Sequence, residues 1–282
     1  MEWVKNLNQA ITYIEDNLEN VIEYNELAKI ACCSSCQFQR VFSYISGVTL
    51  AEYIRRRRMT KAASELQNSN IKIIDLSIKY GYNSPTSFSR AFQSVHDVPP
   101  SYARRKGVVL KSYPKLMISF ALKGDVEMEY RIVEKPEFRI IGFKKKLEFD
   151  IGKNFITVPL FWEDLKKKNL LPQLCELMNQ TPSGVLGITF YQRSTELNYY
   201  VAVASDNPVP NGMVEYVIPQ ATYAVFKCTG EFPEAIRELY RRFYSEWLPF
   251  SGYEYAEMQD IEVYPLSEKS ANTVEVWFAI KE

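Results

Sequence analysis

Two stretches of the sequence repeat each other: LAKIACCSSCQFQRVFSYISGVTLAEY at residues 27–53 and LSIKYGYNSPTSFSRAFQSVHDVPPSY at residues 76–102. The matching pairs are Leu27 with Leu76, Cys32 with Gly81, Phe38 with Phe88, Arg40 with Arg90, Phe42 with Phe92 and Val48 with Val98. Each copy has the pattern of a short helix, a turn and a second helix. The repeat therefore predicts a duplicated helix-turn-helix unit.

Further helices are predicted around the repeat. A first helix is indicated by apolar residues at helical spacing, namely Val4, Leu7, Ile11, Ile14 and Leu18. Ser34 or Ser35 is suited to cap a helix over residues 36–45 that stops at Gly47. The helix predicted over residues 50–66 joins the two units and is about 27 Å long. A strut of that length suits two probes in successive major-groove segments, about 34 Å apart.

The second helix of each unit is the candidate DNA-reading helix, because in such motifs it lies in the major groove. These helices are predicted near residues 36–43 and 86–94, with their phenylalanines facing the core. The opposite faces carry the candidate DNA-binding residues Gln37, Gln39, Arg40, Thr86, Ser87 and Arg90. Gln and Arg can contact adenine and guanine edges with two hydrogen bonds, whereas Ser and Thr contact bases or phosphates less selectively.

The charge distribution favours a polyanion partner for this half only. Residues 27–107 hold 13 Lys and Arg against 4 Asp and Glu, whereas residues 108–282 hold 20 against 24. The four consecutive arginines at 55–58 form either a solvated helix side or a phosphate-contacting one. In the second case we expect one or two of them to contact phosphate and another to pair with a carboxylate such as Asp75.

Two segments of the first half resemble the DNA-binding domain of the AraC/XylS family of transcription regulators. They are FQRVFSYISGVTLAEYIRRRRMTKA at residues 38–62 and DLSIKYGYNSPTSFSRAFQSVHDVPPSYAR at residues 75–104. The resemblance implies double-stranded DNA and RNA polymerase as partners, and it places the six candidate residues at base- or phosphate-facing positions. The sequence departs from the family at Cys32, where Gly is usual, and at Cys36, where relatives often carry Trp.

The second half is rich in short strand-like runs. Strands are predicted at residues 138–144, 185–191, 199–204, 223–228, 261–264 and 274–280, with helices at 158–168 and 233–247. The order strand, helix, strand, strand occurs twice, which indicates a second duplication. The predicted fold class is an all-α N-terminal domain over residues 1–107, a linker over 108–125, and an α+β domain with an antiparallel sheet over 126–282.

The second half is similar to the GyrI-like effector-binding domain, which also follows AraC-type modules in the Rob group. The segments that carry this resemblance are RIIGF (139–143), FWEDL (161–165), EWLPFSGYE (246–254), DIEVYP (260–265) and VEVWFAI (274–280). The resemblance implies a small-molecule effector, and Glu262 matches the family's pocket acid.

The residue types in these strands suit a receptor for a lipophilic cation or a flat aromatic molecule. Strand alternation places Glu262 on one face with Tyr264, and Glu275 on one face with Trp277. A carboxylate among aromatic rings can hold a cation by charge and cation–π attraction. The candidate ligand-binding residues are Glu262, Trp162, Trp247, Trp277, Tyr264 and Tyr191. Tryptophans at helix–sheet contacts are, however, usually core residues.

Two other functions fit the same residues. A hydrolase or detoxifying binder would use Glu262 as a general acid or base, and an adaptor would use the site to contact another protein. The sequence offers no Ser-His-Asp or Cys-His constellation, since His96 is its single histidine. Cys33 and Cys36 have a CxxC spacing without further metal ligands nearby, so no metal or cofactor is predicted. Without a membrane-spanning run or a signal peptide, a bacterial cytoplasmic protein is expected. A pure hydrolase would not need a fused DNA-binding half, so a regulator that is not an enzyme is favoured.

Overall fold

The computed structural model describes residues 2–119, 127–148, 151–190, 197–256, 258–266 and 272–282. The chain divides into two compact units, Met1–Ser119 and Phe120–Glu282. Within the described residues, none of the helices combines the length and the apolar character needed to cross a bilayer.

The described part of the first unit is helical, as the sequence predicts. Its helices are α1 (Glu2–Asp16), α2 (Tyr24–Ile30), α3 (Ser35–Ser46), α4 (Leu50–Asn68), α5 (Ile73–Lys79), α6 (Pro85–His96) and α7 (Pro100–Ala103). Ser34 caps α3 by accepting a hydrogen bond from the Gln37 amide at 3.2 Å, and Ser84 caps α6 in the same way. The helices α2 and α3 repeat as α5 and α6, which confirms the duplicated helix-turn-helix unit.

The two copies use left-handed backbone at the same two places but with different residues. In the turn before the reading helix, Cys32 has φ 54° and its counterpart Gly81 has φ 73°. At the C-terminus of the reading helix, Gly47 has φ 72° and its counterpart Asp97 has φ 62°. Each copy therefore has glycine at one of the two sites and a side chain that favours it less at the other.

Paired aromatic residues form the core of each copy. Phe38 and Phe42 are fully buried with ring centroids 6.1 Å apart, and Phe42 packs on Tyr53 of α4. Phe88 and Phe92 repeat this arrangement at 6.0 Å. The predicted inward direction of the phenylalanines is thus confirmed in both reading helices.

The arginines at 55–58 contact α1, the segment after it and their own helix. Arg57 is almost buried and donates to both carboxylate oxygens of Glu15, at 2.8 and 2.7 Å. Arg58 donates to two backbone carbonyls just after α1, and Arg55 and Arg56 pair with Glu52 of their own helix. The expected partner Asp75 was wrong: it is exposed on α5, whereas the partner of the buried arginine is on α1.

A connector segment, residues 108–119, lies along these helices. Four of its backbone N–H groups donate to side chains of different helices: Lys111 to His96 at 3.2 Å, Tyr113 to Thr60 at 3.1 Å, Leu116 to Tyr53 at 3.2 Å and Ile118 to Asn8 at 2.9 Å. These bonds supply acceptors for backbone N–H groups of a segment that belongs to no helix or strand. They also fasten it to α1, α4 and α6 together.

The described part of the second unit is an antiparallel sheet with helices, so the predicted α+β class is confirmed. Its elements are β1 (Tyr130–Lys135), β2 (Phe138–Leu147), α8 (Ile151–Lys167), α9 (Leu170–Glu176), β3 (Val185–Phe190), β4 (Leu197–Ala204), β5 (Val214–Ile218), β6 (Ala221–Thr229), α10 (Glu234–Arg242), β7 (Glu254–Tyr255), β8 (Ile261–Tyr264) and β9 (Thr273–Lys281). A π-helical turn, Phe243–Trp247, continues α10. The sequence did not predict β1, β5, β7, the helix α9 or the early start of α8.

The strand order shows the duplication. Among the described strands it is β1-β6-β9-β8-β3-β4-β2-β5, with β7 added beside β9. Reading outward from the centre, β3, β4 and β2 correspond to β8, β9 and β6. The edge strands are exchanged, because β1 precedes β2 in sequence but pairs with β6, and β5 precedes β6 but pairs with β2. The two halves are therefore joined at the β3–β8 pair and at both edges.

Candidate DNA-reading helices and effector site

The second reading helix, α6, presents its polar face to solvent. Thr86, Ser87 and Arg90 are all exposed, and Ser87 lies at the N-terminal end next to the capping Ser84. The N-terminal residues of such a helix are the ones that reach base edges in the major groove. The structure brings these three predicted residues together on one accessible surface.

The first reading helix, α3, differs from this expectation. Gln39 and Arg40 are buried, at 8% and 4% exposure, and Gln37 is half-buried. Gln39 donates to the Ser35 carbonyl of its own helix at 3.4 Å, and the Arg40 guanidinium lies 5.9 Å from the centre of the Tyr44 ring. The prediction that these two side chains face outward is therefore wrong for this structure. Their contact with DNA stays a prediction.

In the second unit, Glu262 lies at the centre of a cluster of aromatic hydroxyl and indole groups. Tyr264 donates to Glu262 Oε2 at 2.8 Å, and Tyr199 of β4 donates to the same oxygen at 3.4 Å. Trp162 of α8 donates its indole N–H to the Tyr199 hydroxyl at 3.0 Å. A chain of hydrogen bonds thus runs from α8 across β4 to the acid on β8.

Sheet register explains why these groups meet. Glu262 pairs with Gly187 of β3, which pairs in turn with Val201 of β4, so all three lie on one face. Tyr264 and Tyr199 are each two residues from a member of this row and share that face. A Cβ atom on Gly187 would lie 2.3 Å from the Tyr199 hydroxyl and 3.0 Å from Glu262 Oε2. Glycine is therefore required for the tyrosine to reach the acid.

Aromatic rings enclose the acid on the helix side of the sheet. The rings of Trp162 and Tyr264 lie 4.8 Å apart, and Phe232 contacts Tyr264 edge-on at 6.2 Å. Burial, followed by the charge of Glu262, raises the pKa of Tyr264 well above its ordinary value. The same two causes raise the pKa of Cys228 to about 11. Tyr264 therefore stays a hydrogen-bond donor to Glu262 at neutral pH.

Helix α8 covers this cluster with little of its own surface buried. Of its 17 residues only Ile151, Asn154 and Leu165 are buried. Its apolar residues Ile156 and Leu160 are exposed at 65% and 57%. A helix with so little buried apolar area gains little packing energy, so its displacement costs less than that of a core helix.

Two predicted wall residues do not belong to the cluster. Trp277 pairs with Ile261, the neighbour of Glu262, so it faces the opposite side of the sheet, where its indole donates to Glu275. The alternation of side chains within one strand shows which of its residues share a face. It does not show how that strand is aligned with its neighbours, so it could not place Trp277 relative to Glu262. Trp247 packs against Phe226 of β6, and strand β9 lies between β6 and the strand of Glu262, which places Trp247 in the helix–sheet core. Tyr191 lies outside the described residues.

The sequence alone does not identify Tyr199, Gly187, Phe232 or Cys228 as site residues. It places Tyr199 only at the start of a predicted strand. Its role depends on the β3–β4 and β3–β8 registers, which a single sequence does not reveal. Within the described residues, no group of three or more His, Cys, Asp or Glu side chains is placed to hold a metal ion.

Together, two helix-turn-helix units and an acid-and-aromatic site on a duplicated sheet define a DNA-binding regulator with a small-molecule receptor. Residues 131–280 match the family described as integron-associated effector binding protein, and residues 27–106 match the helix-turn-helix domain family. The chain belongs to the AraC-type transcription regulators and carries an effector-binding domain of the integron-associated, GyrI-like type.

Two sequence relatives support the assignment to the AraC-type regulators. The transposon Tn10 TetD protein of Escherichia coli is 40% identical over 99 residues, which are 35% of this chain and 72% of TetD. The HTH-type transcriptional activator AarP of Providencia stuartii is 38% identical over 98 residues, 35% of this chain and 73% of AarP. A solved structure of SAV2435 bound to tetraphenylphosphonium has 18% identity and a TM-score of 0.48, covering 55% of this chain and 94% of that one.

Proposed function

We propose that this regulator responds to a lipophilic organic cation or flat aromatic molecule held at Glu262, with Tyr264, Trp162 and Tyr199 around it. The observation that carries the proposal is the half-buried carboxylate that accepts two tyrosine hydroxyls beneath a tryptophan ring. A partly desolvated carboxylate attracts a cation more strongly than one in water, and each aromatic face adds about 0.5–2 kcal/mol.

The effector site is tested by titrating the full-length protein with tetraphenylphosphonium while following tryptophan fluorescence. We expect saturable binding, because Trp162 touches Tyr264. Glu262→Gln should weaken binding about 30-fold, roughly 2 kcal/mol for removal of one buried charge partner. Glu275→Gln is the matched control, since Glu275 is an acid on the neighbouring strand that pairs with Arg131. Equal binding by wild type and Glu262→Gln would refute the site.

For DNA, we propose that α6 reads the major groove through Thr86, Ser87 and Arg90, and that α3 reads the adjacent segment through Gln37, Gln39 and Arg40. The exposure of the three α6 residues supports the first part. Because Gln39 and Arg40 are buried in this structure, the second part requires α3 to become accessible on DNA.

The DNA proposal is tested with a duplex selected from a random pool. Arg90→Ala should cost about 1–3 kcal/mol and relax preference at one base pair if Arg90 reads a base. If Arg90 instead contacts phosphate, binding should weaken on all sequences and the salt slope should fall by about one. Arg131→Ala removes the same charge from the other unit and should leave DNA affinity unchanged. Unaltered binding by Arg90→Ala would contradict the proposal.

We further propose that the regulator works in the cytoplasm with RNA polymerase as partner, and that effector binding changes its DNA affinity or promoter activity. The relatives are transcription regulators rather than enzymes, so we favour binding without turnover at Glu262. Mass spectrometry of a bound effector after prolonged incubation should recover it unchanged. Hydrolysis products that disappear with Glu262→Gln would favour the hydrolase instead.

A further inference from the structure

Tyr199 gives the effector site a property that the acid alone would not have. Its hydroxyl accepts a hydrogen bond from Trp162 at 3.0 Å and donates one to Glu262 Oε2 at 3.4 Å. Tyr264 donates to the same oxygen at the shorter distance of 2.8 Å. The protein itself therefore supplies two donors to one carboxylate oxygen, and the Tyr199 bond is the weaker of the two.

The position of the Tyr199 hydroxyl is fixed by the residues on both sides of it. Gly187 leaves the space that the hydroxyl occupies, since a Cβ there would come within 2.3 Å of it. The Trp162 indole takes an acceptor site on the hydroxyl oxygen and so directs its proton toward Glu262. The tyrosine is thus a preorganised donor to the acid.

Two kinds of organic cation would meet this arrangement differently. A protonated amine carries an N–H that loses its water on binding and needs an acceptor. To use Oε2 it must replace the Tyr199 bond, so its gain is partly offset. A quaternary ammonium or phosphonium has no N–H, interacts through charge and the rings, and leaves both tyrosine bonds in place.

We propose that Tyr199, seated over Gly187, is a specificity-determining residue that makes the site prefer onium cations without N–H donors to protonated amines. The inference rests on the proposed effector site at Glu262. It adds the class of cation that the site selects and the side chain responsible for that selection.

The test compares two ligands that differ by one methyl group in place of a hydrogen: trimethyl(naphthylmethyl)ammonium and protonated dimethyl(naphthylmethyl)amine. Isothermal titration calorimetry on the full-length protein gives both affinities. Wild type should bind the quaternary cation more tightly. Tyr199→Phe should move the affinity ratio toward the protonated amine by about fivefold, the worth of an ordinary hydrogen bond, because the Tyr199 bond is long. Tyr200→Phe is the control, because Tyr200 lies next in β4 and faces the opposite side of the sheet.

The outcomes separate this inference from the proposal on which it rests. If wild type binds both cations and Tyr199→Phe leaves their ratio unchanged, the role of Tyr199 is overturned and the Glu262 site stands. If wild type binds neither cation, the effector proposal itself fails. Gly187→Ala provides a second variant, since its methyl group must displace the Tyr199 hydroxyl. It should shift the ratio in the same direction, and a wild-type ratio would count against the inference.

Discussion

Replacing Cys32 with glycine should stabilise the DNA-binding unit. Cys32 has φ 54° in the turn between α2 and α3, where the second copy has Gly81 at φ 73°. Left-handed backbone costs an ordinary residue roughly 1–2 kcal/mol, and a glycine there avoids this cost. The extra conformational freedom of glycine in the unfolded chain offsets about 0.5–1 kcal/mol of the stabilisation. The exposed thiol loses two weak contacts, one from Asn6 at 3.6 Å and one to the Ile30 carbonyl at 4.0 Å. We expect a net stabilisation of about 0.5–1 kcal/mol.

Thermal unfolding followed by circular dichroism measures this effect. For a unit of this size the gain corresponds to a rise in Tm of roughly 2–6 °C. Gly81→Ala is the reciprocal variant and should lose about 1 kcal/mol. Its new Cβ would meet Arg58 only at 3.5 Å, so the loss reports backbone strain and not a clash. Cys33→Gly, at a residue outside the left-handed region, should destabilise. A neutral or destabilising Cys32→Gly would refute the reasoning.

Three further predictions concern the same unit. Arg57→Ala should lower the free energy of unfolding by about 3 kcal/mol, measured by chemical denaturation, because Glu15 would be left buried without its bidentate partner. Arg55→Ala is the control, because Arg55 is exposed, and it should change this free energy by less than about 0.5 kcal/mol. Burial opposes ionisation of Glu15, but hydrogen bonds from Arg57 and Tyr53 lower its pKa below 4.5. The free energy of unfolding should therefore decrease as the pH falls below about that value. In Glu15→Gln this free energy should depend less on pH. Burial lowers the pKa of His96 below 6.5, because it disfavours the charged imidazolium in the folded state. The free energy of unfolding should therefore be highest above pH 6.5 and fall on acidification, by up to about 1.4 kcal/mol per pH unit. The urea midpoint of His96→Gln should vary less with pH across that range.

Most of the first unit was predictable because its signals are local. Ser34 was one of two candidate caps, Gly47 ends α3 as expected, and the phenylalanine pairs mark the buried faces. The partner of Arg57 was not predictable. Nothing in the sequence distinguishes Asp75 from Glu15 as a partner for an arginine of α4. The packing of α1 against α4 brings Glu15 to Arg57. The burial of Arg40 was not predictable either. The spacing of apolar residues shows which helix face packs on the core, but not whether other residues cover the polar face.

The second unit was predictable at the level of strands and less so at the level of its site. Strands with a clear apolar pattern, such as β2 and β9, were found, whereas β1 contains alternating charges and lies at an exposed edge. The structure brings the predicted residues Glu262, Tyr264 and Trp162 together, and their contact with a ligand stays a prediction. Trp277 was misplaced because a one-residue difference in pairing moves a side chain to the opposite face.

The proposed effector site lies where the two halves of the sheet differ from each other in sequence. The row Phe143, Val201, Gly187 in one half corresponds to Phe226, Val276, Glu262 in the other. At the join, the last members of the two rows pair directly. Two glutamates in this position would face each other across neighbouring strands, which is unfavourable for like charges. A single acid opposite a glycine avoids that repulsion and leaves the space that Tyr199 enters. The duplicated sheet thus positions the two rows, and the pair Gly187–Glu262 at its centre differs between the halves. Glu262 provides the negative charge, and Gly187 leaves the space that the Tyr199 hydroxyl occupies.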